Sequence, residues 1–514
     1  MKHSWKRLVS VMLAVAMAFG LAVPAFAAND RVSAGSQSVT WEKVDNDSVS
    51  FSLPRQEMEQ LRDEPQYADD DVVRVSIILD KPSALEKGIF TGRNVLASGV
   101  MNYRAGLEND QTAVAANISR YVLRGRTLDV VWRMTLIANL ISANVPYGAI
   151  EDIKDVRGVQ NVVLETRYEP ASVERDELNP QMSNAGQMTG GVFAHAAGYT
   201  GAGSKVAIID TGLDTEHELF DAKAFDQAIK EDNAARKEAG KDPVVLMTKK
   251  DVKNIWSNLH ASEFLSSEKN VYRSTKIPFA VNYVDQDLNV EHVNDNQGEH
   301  GSHVAGIAVG NRYVMRGKTA VPSLDEVLTQ GEAPDAQIMV MKVFGKGGGA
   351  YDSDYMVAIE DAVTMGADAI NLSLGSSAAG QAVQTNETYN AILDSLTQSG
   401  TVVTISAGNN GTWADQTPYG YIYSTDSKLH TGGSPGTFAN AFTVASVDND
   451  GATGLYIEVG GEKILYTEST GYGHLFPCPS QKHSNKSRSD KKICILLVEC
   501  PKVPLLCSLL AVSS

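Results

Sequence analysis

The sequence predicts an α/β protein whose main body is a mostly parallel sheet with helices on both faces, preceded by a smaller α+β unit. Four short apolar runs, residues 206–209, 338–344, 369–374 and 401–405, lack the alternation of a sheet with one wet face. Strands buried on both faces read this way, and such strands belong to parallel sheets. Between the last two runs, Tyr389, Ile392 and Leu396 fall on one face of a helical segment that stops at Gly400, completing a strand–helix–strand unit. Far upstream, Val73, Val75, Ile77 and Leu79 alternate with Arg74 and Ser76, the pattern of a half-buried strand in a separate sheet.

Taken in order, Lys2, Lys6 and Arg7 precede an apolar stretch that ends in Ala25-Phe26-Ala27, the layout of a secretory signal peptide over residues 1–27. Residues 28–185 then hold a polar leader and the α+β unit, with its core at about 72–168. After the first strand comes a helical region to about Val122, and a second strand is expected over 136–145. A helix over 147–156 sets Ile150, Ile153 and Val156 on one face, stops at Gly158, and leads into a strand over 159–164. The main body is expected over 186–453. A charged helical insertion interrupts it at about 221–275, where Val252, Ile255 and Leu259 form a modest apolar stripe. A helix over 353–365 turns Met356, Ile359 and Val363 inward. Past the leader no apolar run is long enough to span a bilayer.

The 514 residues carry a formal net charge of -17. This balance repels nucleic acid and anionic membranes and suits an exported protein. All four cysteines, Cys478, Cys494, Cys500 and Cys507, lie near the C-terminus in no zinc or redox spacing. Residues 474–514 also lack glycine and are basic, so this stretch is expected to be out of frame with what precedes it.

Two motifs carry chemistry. Asp210 closes Val206-Ala-Ile-Ile-Asp-Thr-Gly at the carboxyl end of an expected parallel strand, where ligands and catalytic groups gather. His300 opens His-Gly-Ser-His-Val-Ala-Gly-Ile, a small-residue run suited to a buried helix. Alone, Asp210 reads equally as a turn residue and His300 as a cap. His300 and His303 are three apart, not the four of a zinc helix, and no third ligand is evident. Gly345-x-Gly347-x-x-Ala350 matches a dinucleotide fingerprint, but the next strand ends in Leu374-Gly375 without the required acid.

Together and in this order, the two motifs resemble those of the subtilisin-like serine proteases, whose chain order is Asp, His, Ser. The resemblance extends to Asn371-Leu-Ser-Leu-Gly375 and to Ser406-Ala-Gly-Asn-Asn-Gly411, and within that family it points to the lactocepin-like cell-envelope proteinases of Gram-positive bacteria. It implies His300 as general base, Asp210 as its orienting partner and Asn409 as oxyanion donor. It further implies that Ser373, Leu374 and Gly375, with Gly347, Gly348 and Gly349 opposite, bracket a polypeptide in extended form. The α+β unit would be a propeptide that occupies this cleft, with cleavage between about Ala171 and Thr189. Residues 454–473 would begin an inserted protease-associated domain. No cofactor is required; calcium at Asp285, Asp287 or Asp295 is possible but not assignable, since their spacing matches no EF-hand loop. The resemblance also implies a secreted or cell-envelope location.

The family's nucleophile stands in Gly-Thr-Ser, and no such run follows Asn409. Ser434 and Ser469 occur in other contexts. The polypeptide as written is therefore expected to be inactive. The alternative is a non-catalytic exported protein that keeps the cleft for binding peptides.

Overall fold

The computed structural model describes residues 67–90, 94–170, 182–292, 295, 297–375, 383–408, 434–436, 438 and 441–446, and strand pairs at 456–465 and 493–512. These lie within one compact unit, Tyr67–Ser514. The expected signal peptide, most of the expected leader, Asn409 and Ser469 lie outside the described residues.

Strands β1 (Val72–Leu79), β2 (Asp129–Met134), β3 (Leu140–Pro146) and β4 (Val159–Leu164) form an antiparallel sheet in the order β2-β3-β1-β4. Helix α1 (Ser98–Asn117) lays Val114 and Ala115 over Val75, Ile77, Ile141 and Ala143. The strand expected over 136–145 begins only at Leu140, as β3, and β2 lies before it where none is expected. The alternation in β2 is interrupted by a register shift between Val130 and Trp132, and the turn at 135–139 has its backbone held by Glu360, far along the chain. Neither cause leaves a periodic signature. The helix expected over 147–156 is shorter, a 3-10 turn followed by Ile150–Lys154.

The chain then contributes β5 (Arg167–Pro170), β6 (Lys205–Asp210), β7 (Phe279–Asn282), a hairpin of β8 (Tyr313–Arg316) and β9 (Thr319–Pro322), β10 (Gln337–Lys342), β11 (Ala350–Tyr351), β12 (Ala369–Leu372), β13 (Leu374–Gly375), β14 (Val402–Ser406) and β15 (Phe442–Val444). Six of these build a sheet in the order β15-β14-β12-β6-β10-β7, parallel at every pairing. Its strands β6, β10 and β12 are the apolar runs of the sequence. Ile209, Met339, Met341, Phe279 and Ile370 are buried in one continuous core, and each such side chain contributes roughly 1.5–3 kcal/mol relative to exposure.

The chain leaves β6 toward β7 and β10 on one side and later returns to β12, β14 and β15 on the other. The carboxyl end of β6 is thus the switch point of the sheet, where a crevice opens. Asp210 is the last residue of β6. Helices α2 (His300–Val309), α3 (Asp352–Thr364) and α4 (Val383–Ser399) flank the sheet. The start of α2 is drawn against the turn after β6. A Cβ on Gly301 would meet the Gly212 carbonyl at 2.1 Å, and Gly212 itself has φ +115° with the Val290 carbonyl in the place of its Cβ. Both positions require glycine.

Candidate active site

The two motif residues meet. His300 Nδ1 lies 2.7 Å from Asp210 Oδ1, and the Thr211 amide donates to the same oxygen at 2.6 Å. Both side chains are buried, so the ring is held in one plane by a carboxylate that water does not reach. The Gly301 amide donates to Thr211 Oγ at 2.9 Å, tying the helix start to the strand end. On its other side His300 Nε2 faces Ser373 Oγ at 3.5 Å. An imidazole carrying a proton on Nδ1 presents its Nε2 lone pair to the cleft, which is the form a base needs. Neighbouring His303 is pushed below the usual imidazole range by burial and by the charge of His300. No group of metal-binding side chains occurs among the described residues.

Ser373, Leu374 and Gly375 run beside this pair, and Gly347, Gly348 and Gly349 lead into β11 on the opposite wall. Between the walls lies β5. It pairs antiparallel with β11, Tyr168 against Ala350, and antiparallel with β13, Glu169 against Gly375, so a length of this chain fills the groove as the middle strand of three. The Arg167 guanidinium donates to the Gly347 carbonyl at 3.1 Å. Tyr168 is wholly buried with its ring edge-on to Tyr355, centroids 5.6 Å apart. A cavity of about 380 Å³ remains beside Gly347, Gly348 and Gly349, lined also by Arg74, Trp132 and Arg167.

The N-terminal sheet grips α3 through polar contacts. Arg74 pairs with Asp354 at 3.2 Å, and the Trp132 indole donates to the same carboxylate at 2.9 Å. Glu165 accepts from Ser76 Oγ and from Ser353 Oγ and amide, and the Thr166 amide donates to Asp352. Glu360 is wholly buried and accepts from Arg104 at 2.8 Å and from the amides of Thr135, Leu136 and Ile137. The helical insertion joins this junction. The amides of His260 and Ala261 donate to Asp361, and the His260 ring sits 3.3 Å from Glu360. Burial alone would lower His260; Glu263, Glu360 and Asp361 outweigh it and raise the imidazole to about 10. Glu165 is pushed up to about 7 by burial, with Asp352 and Asp354 adding to the effect.

Sequence reasoning expected the α+β unit to fill the groove but did not identify β5 as the segment in it, and it missed the junction on α3. The second left a trace, because Asp352, Asp354, Glu360 and Asp361 are four acids on a single helix, and all four are buried. Ser434 is wholly buried. Asp285 and Asp295 are engaged internally, by Asn282 and by Lys342 respectively.

A buried Asp–His pair at the switch point of a parallel sheet, beside a groove that pairs with an extended strand, defines a subtilisin-like α/β protein. Residues 201–497 match the family model described as the subtilase family, more than half of the chain, and the chain belongs to that family. The PI-type proteinase of Lactococcus lactis subsp. cremoris is 30% identical over 356 residues, covering 68% of this chain and 16% of that protein. The PII-type proteinase of Lacticaseibacillus paracasei is 31% identical over 320 residues, covering 61% and 14%. The minor extracellular protease Vpr of Bacillus subtilis is 27% identical over 301 residues, covering 57% and 27%. The chain thus spans about a sixth of the length of the lactococcal relative. Among the described residues no helix is long and apolar enough to cross a membrane.

Proposed function

We propose that this chain belongs to an exported subtilisin-like serine endopeptidase precursor that takes polypeptides in extended form. The observation that carries the reading is β5, paired on both sides in the groove that leads to the Asp210–His300 pair. In the reaction His300 Nε2 takes the proton of a serine hydroxyl as that oxygen attacks the peptide carbonyl, and later delivers it to the leaving amine. Asp210 holds the ring and stabilises the imidazolium. Asn409 donates to the developing oxyanion; removal of such a donor from a subtilisin, a relative and not this chain, costs about 10² to 10³ in turnover. The N-terminal sheet with β5 acts as a propeptide, residues 1–27 direct export to the outside or the cell envelope, and the proton transfers need no cofactor.

The attacking serine is not among these 514 residues in the Gly-Thr-Ser context. Residues 474–514 are accordingly read out of frame, and the chain as written does not turn peptides over. Reaction of the 514-residue chain with a fluorophosphonate should label nothing, whereas the chain continued in the corrected frame should be labelled at one serine and should cleave unfolded polypeptides. Labelling of the 514-residue chain would sink the claim of inactivity. Failure of the continued chain to be labelled would favour the alternative, an exported peptide-binding protein on a protease fold.

A further inference from the structure

Lys342 ends β10 directly across from Asp210 in the parallel register. Its side chain is completely buried, and its ammonium reaches two oxygens. One is the carbonyl of Thr211, the residue that follows Asp210. The other is Asp295 Oδ2 at 2.8 Å, on a carboxylate that is 3% exposed. Asp295 lies in the loop that leads into His300.

We propose that Lys342 is a positioning residue, an internal cation that locks the Asp210 turn and the His300 loop to each other. The sheet ladder fixes Asp210, but it has no hold on the loop before α2. The 2.7 Å contact between Asp210 and His300 joins residues 90 apart in the chain, and besides the bonds of Thr211 Oγ to the Gly301 amide and the Gly298 carbonyl, Lys342 supplies the one charged tie seen between their two segments among the described residues. An ammonium buried at this depth is strongly destabilising unless its donors are met, and the same holds for the carboxylate of Asp295. Each therefore fixes the other, and the Thr211 carbonyl is drawn into the same cluster. A carboxylate with a carbonyl is also the kind of oxygen pair that an external cation takes, but here a side chain of β10 fills the place. The crowding is tight on the Lys342 stem as well, since a Cβ on Gly212 would stand 3.3 Å from its Cδ. The ring nitrogens of His300 face Asp210 and Ser373, so the effect of Lys342 passes through the two backbone segments.

The Asp210–His300 contact exists whether or not the chain cleaves peptides, so the test uses the 514-residue chain. With nitrogen-15 histidine it follows the deshielded Nδ1 proton of His300, assigned by its absence in His300→Gln. Lys342→Met alone leaves the Asp295 carboxylate buried without its counter-charge, met only by the Gln297 amide, so unfolding of that variant would not report on positioning. The decisive protein is therefore Lys342→Met with Asp295→Leu, which removes both charges together. If Lys342 positions the pair, the double variant melts within a few degrees of the parent yet loses the His300 signal. A double variant that keeps both the fold and the signal would overturn the proposal, because neutralising Asp295 would then be all that Lys342 does. Asp295→Asn, which keeps an acceptor for the ammonium, should retain the signal; its loss there would also count against the proposal.

Discussion

The two sheets bury their faces by opposite means. The parallel sheet is sealed with hydrocarbon, with Ile209, Met339, Met341, Phe279 and Ile370 packed into one core. The antiparallel sheet buries one face the same way, under α1, but turns Ser76 and Ser142 toward α3, where with Glu165 just after β4 and Arg104 of α1 they join a hydrogen-bonded seam. Parting a hydrocarbon face exposes apolar surface that water cannot satisfy. A hydrogen-bonded seam exchanges its bonds for water when it parts, at a net difference of about 1 kcal/mol per bond. The first sheet is built to stay together. The second adds polar contacts with α3 to a hydrocarbon contact, since Trp132, Met134 and Leu140 share the core of the parallel sheet.

Single substitutions should tell the two sheets apart. Phe279→Ala in the parallel sheet should lower stability by about 3–5 kcal/mol, read from the urea midpoint, and loosen hydrogen exchange throughout the molecule. Arg104→Ala leaves Glu360 buried beside its three amide donors and His260, and should weaken the N-terminal sheet by about 3–4 kcal/mol, with exchange protection lost in β1, β2, β3 and β4 but kept in β6, β10 and β12. Equal loss in both sheets would erase the distinction.

Glu165 supplies a pH test. Its pKa rises from 4.5 to about 7 on folding, so the protonated form is the one the junction favours. Its contribution is fully present below about pH 4.5 and is lost as pH rises through about 7, a change of about 3 kcal/mol. Melting temperature should therefore fall between pH 5 and pH 8 more steeply in the parent than in Glu165→Gln, and parallel slopes would show that the carboxyl does not titrate across this range. Trp132→Phe removes the donor to Asp354 and should cost about 2 kcal/mol, again confined to the N-terminal sheet. Lys81→Ala, at the exposed pair with Asp110, should change neither sheet measurably.

What could be read from the sequence follows the same division. Apolar runs over 206–209, 338–344, 369–374 and 401–405 mark β6, β10, β12 with β13, and β14, because strands buried on both faces leave no other pattern. Edge strands leave less of that signal: β7 is only four residues long, and β15, whose Phe442 and Val444 are exposed, was not visible as a strand. Asp210 and His300 were found by their neighbours, and the structure brings them together. Ser373 and Gly347 stand on the two walls where the resemblance placed them. The junction on α3 could not be read, since Glu360 meets residues 135–137 through their backbone amides, which every sequence possesses. Lys342 looked like one more residue at the end of a strand, and only its burial shows what it holds.

In the groove, β5 is separated from β4 by two residues, Glu165 and Thr166, so the occupant is covalently leashed to a folded sheet that is itself docked. A leash this short presents its ligand at an effective concentration on the order of millimolar or more. A free peptide of equal intrinsic affinity at micromolar concentration competes against that at odds of about a thousand to one. Access to this groove is therefore governed by the connectivity of the chain rather than by affinity, and a single cut after Pro170 would change the occupant from a permanent neighbour into one that dilution can remove.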